Sequence, residues 1–179
     1  MNPFPAPMAM HLVRLLRPVL MVSLIWLCIG AARADAYADV QRLINRQEWP
    51  QAQVLATQHL KSRPQDPQMR LLLSRIQEGL GQNDDAMATL QELTQAYPEL
   101  AEPHNNLAVH YALQGRYDDA LGALNRAIQA RPDYATALEN LGDLHATLAK
   151  QAYDRAVLAA PTSPRAQTKA QAIGQLLSH

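Results

Sequence analysis

The chain has 179 residues, a length that suits one domain of ordinary size. Hydrophobic residues make up 48% of it, yet it has a single Phe, and Ala, Leu and Gln are abundant. This composition favours helices over strands, because Ala, Leu and Gln lose little rotamer freedom in a helix, whereas strands enrich β-branched and aromatic residues. Lys plus Arg number 16, as do Asp plus Glu, so the chain lacks the basic excess that binding to nucleic acid or an anionic membrane would need.

The first 34 residues have the pattern of a secretory signal peptide. Arg14 and Arg17 form a positive start, and an apolar run from Val19 to Ile29 follows. Ala32 and Ala34 then supply the pair of small residues that precedes a cleavage site. A retained membrane anchor is the alternative, but the run is shorter than the ~20 apolar residues of a spanning helix.

We predict cleavage between Ala34 and Asp35, with export to a bacterial periplasm. Trp26 and Leu27 are too large for a lipoprotein signal at Cys28, which is the one cysteine of the chain. Cleavage would remove Cys28 with the signal peptide, so the mature protein would have no disulfide, no thiol chemistry and no cysteine-based zinc site. The mature chain would keep 13 basic and 16 acidic residues, a net charge of −3 with His neutral. Exported chains without cysteine suit a periplasm better than a eukaryotic secretory route.

From residue 35 onward, the sequence repeats with a period of 34 residues. Prolines, alanines, glycines and leucines all recur at this interval, and the agreement of four residue types is not plausibly chance. The recurring residues are Pro64, Pro98 and Pro132; Ala52, Ala86 and Ala120; Gly81 and Gly115; and Leu73, Leu107 and Leu141.

Each copy is predicted to form two antiparallel helices, which we term helix A and helix B. In the third copy, Leu107, Ala108 and Tyr111 have the spacing of one buried helix face. Gly115 is expected to end helix A in a left-handed conformation. Pro132 is expected to end helix B, because it lacks the N–H that a helix interior needs.

Further residues predict how helix B begins and packs. We expect Asp84 and Asp118 to cap helix B in the second and third copies. In the first copy, Pro50 is expected in the first helical turn, after Trp49. Ala120, which recurs at the same place in each copy, is small enough for helices A and B to cross closely there.

The third copy, NNLAVHYALQGRYDDALGALNRAIQARPDY, resembles the tetratricopeptide repeat, whose period is also 34 residues. The resemblance covers about residues 35–161. It implies an all-α solenoid of stacked helical hairpins over residues 35–179. The expected repeats are at about 35–66, 67–100, 101–134 and 135–163.

The fourth copy lacks five residues where the turn should be. Its start at Leu141 and its end at Pro161 match the third copy, but the turn glycine is missing. Strong helix formers occupy the junction, so we predict that helices A and B fuse into one helix of roughly 20 to 25 residues. A tight turn near residues 149–150 is the alternative. Residues 164–179 are expected to form a capping helix.

The sequence contains no signature of catalysis. A phosphate-binding loop, H-E-x-x-H, G-x-S-x-G and an EF-hand loop are all missing. His104 and His110 are six residues apart, which puts them on different helix faces and makes them a poor metal-binding pair. His145 is expected to be a half-buried packing residue. We therefore predict no enzyme, no cofactor and no metal site.

Binding is what the resemblance implies, because the helices A of this family line a concave groove that holds a peptide or a helix. Asparagines at such positions can pair with both the N–H and the C=O of an extended peptide. The alternative is that Asn106 and Asn140 are ordinary surface or helix-start residues. The acidic residues nearby suit a neutral or basic partner. The predicted groove residues are Arg75, Asn105, Asn106, Val109, Glu139, Asn140 and Asp143.

Together these features predict a non-enzymatic scaffold or adaptor of the bacterial cell envelope. We expect a protein or peptide partner, no nucleic acid, and no membrane insertion after signal cleavage. The alternative is a self-associating subunit that uses its C-terminal helices as an oligomer interface. An enzyme accessory protein is a third class, and no feature of the sequence favours it.

Overall fold

The computed structural model describes residues 36–178, which form eight helices and no strand. None of these helices is long and apolar enough to cross a membrane. The predicted cleavage site at Ala34 and Asp35 lies outside the described residues. The helices are α1 (36–45), α2 (Trp49–Ser62), α3 (Pro67–Gly79), α4 (Asn83–Ala96), α5 (Ala101–Leu113), α6 (Tyr117–Ala130), α7 (Ala135–Ala159) and α8 (Pro164–Leu176).

The chain divides into two compact units, the first ending at Pro64 and the second starting at Gln65. In the first unit, α1 buries Val40 and Ile44, and α2 buries Ala52 and Ala56. The rings of Tyr37 and His59 lie 5.4 Å apart and connect the two helices. As expected, Pro50 occupies the first turn of α2.

In the second unit, α3 packs on α4 and α5 packs on α6, so each pair is a helical hairpin. The hairpins join through contacts of α4 with α5, and α7 then packs on both α5 and α6. Ala120 and Ala127 of α6 are completely buried, because small side chains let the helices approach closely. An ion pair between Arg70 of α3 and Glu92 of α4 also connects these two helices.

The turns between helices A and B share one backbone geometry. Gly81 and Gly115 have φ angles of +74° and +73°, and Gln47, at the same register in the first hairpin, has a φ of +58°. In the third hairpin, the N–H of Arg116 donates to the carbonyl of Tyr111 at 2.9 Å, which closes the helix end in a Schellman motif. The expected left-handed exit from helix A is therefore confirmed.

The expected caps of helix B are wrong. The N-cap residues of α4 and α6 are Gln82 and Arg116, and neither side chain makes a capping bond. Asp84 and Asp118 lie two residues after these N-caps, inside the first helical turn. There their charges are favourable because the N-terminal end of a helix carries a partial positive charge.

The fused helix of the fourth copy is confirmed. α7 runs without interruption through 25 residues, from Ala135 to Ala159, and Pro161 follows its end. The junction lacks a glycine or another residue that would favour a turn, so the helical hydrogen bonds continue across it. α8 packs against α7, and none of its residues is buried.

The turn geometry makes a reciprocal prediction about Gln47 and Gly115. A side chain in the left-handed region costs about 1–2 kcal/mol. We therefore expect Gly115→Gln to lower the free energy of unfolding by about 1 kcal/mol or more, and Gln47→Gly to raise it by a similar amount. Urea unfolding followed by circular dichroism measures both changes. Equal effects of the same sign would contradict this account.

Candidate functional site

A cleft of about 290 Å³ lies between α5 and α7, with part of α6 completing its wall. Most of its lining is apolar, and two of the apolar side chains are well exposed: Val109 at 43% and Leu113 at 81%. The lining residues are Ala108, Val109, Ala112, Leu113, Tyr117, Leu124, Asn140, Asp143, Leu144 and Thr147.

Helical periodicity places these residues together. On α5, Val109 and Leu113 are four residues apart and thus neighbours on one face. On α7, Asn140, Leu144 and Thr147 follow the same rule and face α5. The small side chains of Ala108 and Ala112 on α5 leave the space between the two helices unfilled.

A chain of side-chain amides lies beside the cleft. Asn140 Nδ2 donates to Asn105 Oδ1 at 2.9 Å, and Asn105 Nδ2 donates to Asn106 Oδ1 at 3.4 Å. Asn105 is only 4% exposed, and its predicted role as a direct grip on a peptide stays a prediction. Its bond to Asn140 connects α5 to α7. The burial follows from its place on the side of α5 that faces α7.

Of the predicted groove residues, the cleft lining includes Val109, Asn140 and Asp143. Asn106 joins them through the amide chain. Arg75 and Glu139 are exposed but do not line the cleft. That any of the predicted groove residues binds a partner stays a prediction.

Other polar residues on these helices have partners within the protein. His110 Nε2 lies 2.8 Å from Glu78 Oε1, a contact that connects α3 to α5. Glu102 pairs with Arg131. Burial raises the pKa of Glu102, but the hydrogen bond and charge of Arg131 outweigh it, so the net pKa is lowered.

Several lining residues escaped the sequence analysis. Ala112, Leu113 and Thr147 occupy repeat positions that the family resemblance assigns to the groove, but only one apolar residue, Val109, was selected from those positions. Including every residue at those positions, apolar and polar, would have found them. Tyr117 and Leu124 come from helix B, and no sequence signal marks them.

A second groove lies on the opposite side of α5, between α4 and α6, with a volume of about 870 Å³. His104 lines it, 4% exposed, and its Nε2 donates to the carbonyl of Pro98 at 3.1 Å. Burial lowers the pKa of His104, and the charge of Arg126 lowers it further, against the opposing effect of the Pro98 bond. His145, by contrast, is exposed, so its expected half-buried packing role is wrong. Within residues 36–178, no three His, Cys, Asp or Glu side chains are grouped to hold a metal ion.

The amide chain generates a prediction about coupling. Truncating Asn140 to Ala leaves the buried Asn105 Oδ1 without its donor, and truncating Asn105 removes the same bond. A double-mutant cycle of Asn105→Ala and Asn140→Ala should therefore give a coupling free energy of about 0.5–1.5 kcal/mol by urea unfolding. Strict additivity of the two substitutions would refute a shared bond.

His104 generates a prediction about pH. Because its pKa is lower in the fold than in the unfolded chain, the unfolded state binds its proton first as the pH falls. The contribution of neutral His104 to the stability of the fold is complete above the pKa of this residue in the unfolded chain, about 6.5, and declines below it. The stability advantage of the wild type over His104→Gln should shrink between about pH 7.5 and pH 5. A constant difference across this range, measured by thermal unfolding, would contradict this.

Comparisons with known proteins identify the helical hairpins as copies of a known repeat. Family profiles described as tetratricopeptide repeat and TPR repeat match residues 43–109 and 110–148, together more than half of the chain. No curated protein matches it.

Solved structures show the same fold at low sequence identity. The chain is similar to one in the structure of Naa15/Naa10 bound to HypK-THB, at 18% identity and a TM-score of 0.56, covering 80% of this chain but only 22% of that one. It is similar to MamA at 22% identity and a TM-score of 0.55, covering 77% and 85% of the two chains. It is also similar to PilF of Pseudomonas aeruginosa at 18% identity and a TM-score of 0.60, covering 80% and 68%. The predicted all-α fold is confirmed, and the chain belongs to the tetratricopeptide repeat family.

Proposed function

We propose that this protein is a non-enzymatic scaffold that binds a segment of a partner protein in the cleft between α5 and α7. The observation that carries the proposal is the exposure of Leu113, at 81%, in a cleft whose lining is mostly apolar. Covering a Leu or Val side chain stabilises a complex by about 1.5–3 kcal/mol. A partner that fills the cleft would cover both Leu113 and Val109.

The amides at the edge of the cleft suit a peptide backbone. Within the described chain, the Oδ1 of Asn140 and the Nδ2 of Asn106 make no hydrogen bond. The first can accept from a backbone N–H, and the second can donate to a backbone C=O. Asn105 holds Asn140 in place, so the site is organised before a partner arrives, which reduces the entropy lost on binding.

The charge of the cleft defines the partner further. Asp143 is the one acidic residue of the lining, and Glu139 is exposed one position before Asn140. A partner segment with an apolar anchor beside a Lys or Arg would match this arrangement, whereas an acidic segment would be repelled.

We further propose that the protein acts in the bacterial cell envelope after export. The support is the signal pattern of residues 1–34, with its positive start, apolar run and small residues before Asp35. The sequence carries no catalytic motif, and a scaffold or adaptor role fits the fold.

A charge placed in the cleft tests the proposed binding site. Leu113→Asp should reduce capture of partner protein from a cell-envelope extract by tenfold or more, because the loss of one apolar anchor costs about 1.5–3 kcal/mol. Leu176→Asp is the matched control, since Leu176 is also an exposed leucine, at 65%, but lies on α8. Quantitative mass spectrometry of the captured proteins gives the readout. Equal losses for both variants, or no loss for either, would argue against the cleft.

A further inference from the structure

The first half of α7 presents a helix A face that no helix B covers. In the third copy, α6 packs on α5, and His104 and Leu107 are each only 4% exposed. The residue 34 positions after His104 is Leu138, which is 46% exposed. His145, the counterpart of the half-buried Tyr111, is exposed.

The second half of α7 keeps the sequence of a helix B, but no helix A packs on it as α5 packs on α6. Residues 149, 153 and 156 are the counterparts of three residues on the buried face of α6. They lie 29 positions later, because the 34-residue repeat interval is shortened here by the five missing residues. That face is at most 2% exposed, whereas its counterparts are half-buried or exposed. The pairs are Ala120 and Ala149, Leu124 and Tyr153, and Ala127 and Ala156.

The missing turn is the physical reason that these two faces do not meet within one chain. Leu138 and Tyr153 are 15 residues apart on a continuous helix, which separates them by about 22 Å along its axis. The packing that α5 and α6 achieve through a turn at Gly115 is therefore impossible within α7. Shortened connections of this kind favour the exchange of an element between two copies of a chain.

We propose that two copies of this protein exchange the second half of α7. The two α7 helices would lie antiparallel, so that the helix A half of each copy is covered by the helix B half of the other. The two-fold axis passes near residues 145 and 146, and Leu138 lies opposite the partner's Tyr153. Each contact occurs twice, as in an isologous interface.

Charge favours this antiparallel arrangement. Residues 135–149 contain Glu139 and Asp143 and no Lys or Arg. Residues 150–159 contain Lys150, Arg155 and Asp154, a net charge of +1. Lys150 is paired with Asp154 in its own helix, and Asp143 lines the α5–α7 cleft. An antiparallel pair therefore brings Glu139 of one copy towards the half of the other that carries Arg155, whereas a parallel pair would set each of these residues beside its like charge.

α8 belongs to the exchanged segment. It packs on the second half of α7, where the Lys169 ammonium lies 5.2 Å from the centre of the Tyr153 ring. Val157 and Ile173 are only half-buried in this hairpin, and Leu158 is 79% exposed. A two-helix hairpin with so little buried surface needs a third helix, and the helix A half of a second copy supplies it. The exchange does not depend on the α5–α7 cleft.

Crosslinking tests the exchange directly. The full chain carries Cys28→Ser, Leu138→Cys and Tyr153→Cys, and it is treated with a bismaleimide that spans about 10 Å, the usual distance between packed helix axes. We expect a crosslinked species of twice the chain mass. Leu138→Cys alone is the control and should give none, because the two copies of residue 138 would be about 22 Å apart.

Restoring the turn provides the second variant. A copy of Gly115–Asp119 inserted after Leu148 returns the third copy's spacing, so helix B can fold back within its own chain. Light scattering should then report a halved mass, and the 138–153 crosslink should form within one chain. Five alanines inserted at the same place supply no turn and should give no crosslink within one chain.

Three results would overturn the proposal. The first is a monomer at micromolar concentrations without the insertion. The second is a 138–153 crosslink within one uninserted chain, which would require a break in α7. The third is a dimer that the 138–153 pair does not crosslink, which would place the interface elsewhere. Loss of partner capture in Leu113→Asp would affect none of these readouts.

Discussion

A single helix pair cannot bury its own apolar face, and this constraint shapes the rest of the structure. α5 satisfies it best, because α4, α6 and α7 all pack against it. α5 accordingly has more buried residues than any of the helices from α2 to α8. At the C-terminal end the constraint is unmet: α7 and α8 contact each other, and α8 buries no residue. The candidate binding surfaces lie where this stacking is incomplete.

The turns decide where the stacking stops. Gly81 and Gly115 adopt positive φ at the same register, and this lets each chain segment reverse onto itself. Gln47 shows that the geometry is required by the fold, since it adopts the same conformation with a side chain present. Five fewer residues in the fourth copy remove the turn, and one uninterrupted helix of 25 residues results. The five missing residues thus leave two faces of α7 more exposed than their counterparts in the third copy.

The sequence predicted the helices well because their signals are local or periodic. The 34-residue interval located the hairpins, and the helix-forming junction predicted the fused α7. The candidate site was harder to predict. The burial of Asn105 and its bond to Asn140 depend on how α5 and α7 pack, which no single-helix pattern contains. The cap prediction failed because Asp84 and Asp118 lie inside the helix, a difference of two residues that the sequence leaves open.

In the proposed dimer, another copy of the chain completes the end of the stack. Hydrogen exchange of the backbone amides in residues 149–159 measures this most directly, because the amides of an unsupported hairpin open far more often than those of a packed helix. The account predicts that exchange in this segment slows as the protein concentration rises, while exchange in α5 does not change. Exchange in residues 149–159 that is independent of concentration, and as slow as that of α5, would contradict it.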